Sequence, residues 1–123
     1  MANPNIVNVQ SIYGNTSYLI PTGTSATTWT ALTPASNTVN KIDNIVATNV
    51  TATAATVTVS INSATGGGGT AYRLAYQISV PGNSTLVVTD KTTAFYVGEA
   101  QSVVVTSGTT SSIECVASYE AIT

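Results

Sequence analysis

The sequence predicts an all-β domain, an antiparallel two-sheet β-sandwich of jelly-roll character with little or no helix. Three observations carry that expectation. Apolar and hydroxyl side chains alternate with period two along most of the chain, turn residues interrupt the alternation at short intervals, and no apolar stripe recurs at three- and four-residue spacing over a helical length. Successive side chains of a strand point to opposite faces, so each alternating run has one apolar face to cover. Two facing sheets cover both sets.

The first run spans residues 5–12, where Val7 and Val9 alternate with Asn8 and Gln10. Residues 1–12 read either as an edge strand of the domain or as an arm that adds a strand to a neighbour's sheet, the ordinary edge strand being preferred. Tyr13-Gly14-Asn15 reads as the first turn, and short runs over 17–20 and 27–32 follow, parted by Thr22-Gly23. Thr33-Pro34 precedes a run over 39–50. The clearest alternation covers 54–62, with Val57, Val59 and Ile61 on one face and Thr56, Thr58 and Ser60 on the other.

Gly66-Gly67-Gly68-Gly69 then predicts a flexible loop. The run over 70–80 sets Tyr72, Leu74, Tyr76, Ile78 and Val80 against Ala71, Arg73, Ala75, Gln77 and Ser79. Val80-Pro81-Gly82-Asn83 fits a type II turn with Gly82 in the left-handed region. Runs over 85–89, 94–97, 102–107 and 112–119 complete the series, with turns at Gly98 and Gly108. Cys115, the single cysteine, shares its face with Ile113, Ala117 and Tyr119 and reads as a small buried hydrophobe.

The totals agree with one domain over residues 1–123. Hydrophobic residues form 43% of the chain and charged residues 7%, against roughly 25% charged in an ordinary soluble domain. Little like-charge repulsion then keeps copies apart, which suits a protein packed in a fixed lattice. Lys41, Arg73 and Lys91 are the only cations, too few to neutralise a run of phosphates, so nucleic acid is not an expected partner.

The chain has no histidine, which removes every Ser-His-Asp and Cys-His arrangement and the commonest zinc ligand. Asp43, Asp90, Glu99, Glu114 and Glu120 are scattered, so paired-carboxylate hydrolysis would need distant strands to bring two together. The four glycines lack the Gly-Lys-Ser/Thr ending and following helix of a phosphate loop. No catalytic residue, metal or cofactor is expected. The start of the chain has no signal-peptide pattern and no run reaches membrane-spanning length, so synthesis in a cytoplasm without membrane attachment is expected. Acceptor triplets at Asn15, Asn49 and Asn83 arise readily by chance in a chain rich in Asn, Ser and Thr. Trp29 with Tyr13 and Tyr18 offers either an aromatic sugar platform or, as preferred, side chains for a core or intersubunit contact. The candidate interface residues are therefore Val7, Val9, Tyr13, Tyr18 and Trp29.

Residues 41–51 (KIDNIVATNVT) with 54–59 (AATVTV), 78–88 (ISVPGNSTLVV), 95–99 (FYVGE) and 118–122 (SYEAI) together resemble small structural proteins of tailed-phage virions, especially those of marine cyanophages. The likeness covers about two thirds of the chain and rests on the order and spacing of strand and turn patterns. It implies a β-sandwich attached to head or tail as repeated copies, without catalytic residues. The resemblance leaves the position in the virion open; with the weakly charged, hydroxyl-rich surface, the expected function is capsid decoration or cementing of the head lattice, the alternative being a tail, neck or fibre-associated domain that touches host glycan. The implied partners are the major capsid protein or other virion proteins and further copies of the chain, a trimer by analogy with shell proteins on threefold positions. The implied location is the virion, after synthesis in the host cytoplasm.

Overall fold

The computed structural model describes residues 7–123. Nine strands follow in order: β1 (Ile12–Leu19), β2 (Thr27–Thr28), β3 (Val39–Asn49), β4 (Ala55–Asn62), β5 (Ala71–Val80), β6 (Thr85–Thr89), β7 (Phe95–Val97), β8 (Ser102–Ser107) and β9 (Ile113–Ile122). Among the described residues the only helical segments are single 3-10 turns at Thr30–Leu32, Thr65–Gly67 and Lys91–Thr93. Sheet A runs β1-β9-β3-β6, with β7 also beside β3, and sheet B runs β2-β8-β4-β5. All pairings are antiparallel. Apart from the β4–β5 hairpin and the β6–β7 step, each connection crosses to the other sheet, which gives the double Greek key of a jelly roll.

The alternating residues supply the core. Ala47, Ile45 and Ile42 of β3, Val57 and Val59 of β4, Val103 and Val105 of β8, and Ile113, Cys115 and Ala117 of β9 pack between the sheets with Trp29 and Leu32. Each fully buried large aliphatic side chain contributes about 1.5–3 kcal/mol. In β3 the period-two pattern breaks: Ile42 faces Tyr119 and Asn44 faces Ser118, so Asp43 is an extra residue. That bulge turns both Ile42 and Ile45 inward although they stand three apart.

Several local expectations need correcting. Residues 7–11 form a bend, not a strand; the Gln10 N–H donates to the Thr123 carbonyl at 2.8 Å, and Ser11 and Thr123 bond in both directions. The rest of the proposed arm, residues 1–6, lies outside the described residues. Tyr13-Gly14-Asn15 is the interior of β1 and pairs in register with Glu120 and its neighbours, because no reversal is needed before residue 20. Gly82 does not have positive φ; Asn83 does, at 57°. A Cβ on Gly82 would fall on the Ala52 carbonyl, so glycine serves close approach there.

The four-glycine loop is pinned. The Asn62 amide donates to the Gly67 carbonyl at 2.9 Å, the Gly67 N–H donates to Ser102 Oγ at 2.9 Å, and that hydroxyl donates to the Ala64 carbonyl at 2.7 Å. Gly66, Gly67 and Gly69 all have positive φ. A Cβ on Gly67 would stand 2.7 Å from Thr28 Oγ1 and 3.4 Å from Val104. The loop thereby covers the outer face of β2 and β8, which is why Val104 is buried beside inward-facing Val103 and Val105.

Candidate docking surface

The predicted interface residues divide. Trp29 is 1% exposed, and its indole N–H donates to Ser17 Oγ at 3.0 Å. It is a core residue, which corrects its place among the interface candidates and removes it from any sugar platform. An indole that enters the sandwich beside Leu32 buries more apolar area than one left at the rim. Tyr13 and Tyr18 are 66% and 76% exposed. They are five residues apart on one strand and so project to opposite sides of sheet A. Val7 is exposed and Val9 half-buried in the bend before β1. These residues form no single aromatic surface.

Register reveals a different grouping. Tyr18 faces Val116, Val116 faces Val46, and Val46 faces Val87. Their inward neighbours Ala47, Cys115 and Ala117 are buried, so this apolar row crosses β1, β9, β3 and β6 on the outer side of sheet A. Polar rows flank it. On one side stand Thr16, Ser118 and Asn44, with Asn44 Oδ1 accepting from the Ser118 N–H at 3.1 Å. On the other stand Glu114, Thr48 and Thr85, the two threonine hydroxyls 2.9 Å apart.

A second apolar group lies on β5, the outer strand of sheet B. Tyr72, Leu74, Tyr76 and Ile78 are exposed, and only Val80 of the apolar series is buried. Two register shifts against β4, together with Gln77 at φ 48°, disrupt the regular ladder; the Gln77 N–H bonds to Thr58 Oγ1 at 2.9 Å. An edge strand bulged in this way leaves its alternation outside the core. Arg73, the strand's only charge, lies over the Tyr76 ring at 5.1 Å, so its cation is engaged within the strand.

The remaining polar groups have local work. Asn49 is fully buried; its amide donates to the Thr53 and Val80 carbonyls, and its Oδ1 accepts from the Thr51 N–H and hydroxyl. That side chain is unavailable as a glycan acceptor. Buried Glu99 accepts from the Asn37 N–H. Asp90 caps the turn at Lys91–Thr93, and hydrogen bonds from the Thr92 hydroxyl and N–H hold its carboxyl below the ordinary range. Glu114 and Glu120 stand six residues apart on β9, roughly 20 Å along an antiparallel strand. Burial pushes the Cys115 thiol up to about 12, which leaves it protonated and inert at neutral pH. Among the described residues no group of three His, Cys, Asp or Glu side chains is placed to hold a metal, and no helix is long and apolar enough to cross a membrane.

No family model matches the chain, and no curated protein matches it. A solved structure from work on Bacillus endospore appendages, a family of disulfide-linked pili, is similar at 16% identity and a TM-score of 0.48, over 99% of this chain and 92% of that one. A likeness at that level does not identify a function.

Proposed function

We propose that the protein is a non-enzymatic structural component of a tailed-phage virion, a decoration or cement protein that docks on the head lattice as many identical copies. The observation that carries this reading is the exposure of apolar side chains along both sides of the edge strand β5: Tyr72 and Ile78 in register with inward-facing Ile61 and Val57, Leu74 and Tyr76 flanking Ala75 on the other side, with the nearby cation already held by Tyr76. Aromatic side chains enriched at a weakly charged patch are the composition of an interface centre. A surface of this kind docks against the major capsid protein without stranding charge. Repetition on a lattice turns weak single contacts into strong attachment. The likeness of the strand and turn patterns to phage virion proteins supplies the particle.

Peptide counting in purified particles tests the proposal. Copies on the order of hundreds per particle are expected for a shell protein. A dozen or fewer would move the chain to the tail or neck, and absence from the particle would overturn the reading.

A further inference from the structure

Among the described residues nothing packs on Gly14. It stands in the interior of β1, where glycine weakens a strand; its φ is not positive, and a Cβ added to it would meet nothing within 4 Å. The strand around it is equally unusual. Among the described residues β1 pairs with β9 alone, so its other edge is open. That edge is eight residues long, lacks proline, and carries no charge, since the first charged side chain of the sequence is Lys41. Charge, proline, bulges and shortness are the devices that keep edge strands from pairing. β5 has a charge and two register shifts, whereas β1 has none of these features.

We propose that β1 pairs antiparallel with β1 of a second copy about a two-fold axis at Thr16, continuing sheet A through the dimer. An axis perpendicular to the sheet keeps each side chain on its own face, so paired residues must have the same parity. Centring at Thr16 sets Thr16 against itself, Gly14 against Tyr18 and Ile12 against Ile20 on the outer face. Tyr13 then meets Leu19 on the other face. The exposed Tyr18 ring of each copy lies over Gly14 of its partner, where an aromatic ring cross-strand from a glycine restores the missing packing. The open space above Gly14 is thereby filled, and the apolar row from Val87 to Tyr18 ends on the partner's Gly14, whose own row continues through Glu120 and Lys41. The two-fold replaces the trimer expected by analogy, and it stands whether or not the dimer decorates a virion.

Sedimentation or light scattering of the intact chain tests the pairing. Wild-type protein is expected to be a dimer at about 50 µM. Thr16 is exposed, so Thr16→Lys and Thr16→Glu should each fold, place like charges opposite each other and give monomers; mixing the two in equal amounts should restore a dimer. Thr110→Lys, an exposed charge away from β1, should leave the dimer intact. Gly14→Val should weaken dimerisation at least about tenfold without lowering the melting temperature of the diluted monomer. A wild-type monomer or trimer, a dimer that survives Thr16→Lys, or failure of the opposite-charge mixture to pair would overturn the proposal.

Discussion

The Trp29 indole N–H donates to Ser17 Oγ at 3.0 Å, joining the largest core side chain to the outermost strand of sheet A. Ser17 is the buried residue of β1, so this one bond carries polar satisfaction from the core to the edge. Ser17→Ala removes the acceptor and leaves a buried donor unpaired. The expected cost is about 1–3 kcal/mol, read as a lower urea midpoint at unchanged slope. Trp29 is also the only tryptophan, so its emission should be blue-shifted in the native state and move red on unfolding.

Asn49 makes four hydrogen bonds from a fully buried side chain and ties the end of β3 to Thr51, Thr53 and Val80. Asn49→Leu should cost about 3 kcal/mol or more, because two carbonyls and the Thr51 donors lose their partner at once. Thermal unfolding measures it. A change within 0.5 kcal/mol would mean that water replaces the amide.

Gly82 and Gly14 should respond oppositely to alanine. Gly82→Ala drives a methyl into the Ala52 carbonyl and should destabilise by about 1–3 kcal/mol. Gly14→Ala meets open space at an ordinary φ and should stabilise the monomer by about 0.5–1 kcal/mol. Equal effects on melting temperature would contradict the backbone placement of both.

Cys115 sets an alkaline limit. Its thiol is pushed from 9.0 up to about 12 by burial, so from pH 9 upward the unfolded chain loses a proton that the folded chain keeps. The folded state binds more protons in that window, and stability therefore falls as pH rises through it. Cys115→Ala should flatten the decline between pH 9 and pH 11 relative to wild type. At neutral pH a thiol reagent should label the native chain only as fast as it unfolds.

Much of the architecture was legible because strand periodicity and burial agree where both sheets cover a residue. Val57 and Val59, like Ile113, Cys115 and Ala117, lie where alternation puts them. The candidate surface was less legible. Apolar alternation in β5 is indistinguishable in sequence from a core strand, and only its edge position and register shifts leave Tyr72, Leu74 and Tyr76 outside. Gly14 resembles turn chemistry locally, yet pairing with β9 extends the strand through it. Trp29 becomes a core residue through the Val103 carbonyl, which accepts its backbone N–H at 2.8 Å, a contact 74 positions away that no local pattern encodes. The four glycines signal freedom by composition, whereas Ser102 and Asn62 remove it by hydrogen bonding.

A density map of the intact particle tests the proposed role most directly. The account predicts jelly-roll density repeated over the head lattice, with Tyr72, Leu74 and Tyr76 of β5 buried against capsid subunits. Heads that lack such density, or copies that turn β5 toward solvent, would contradict it.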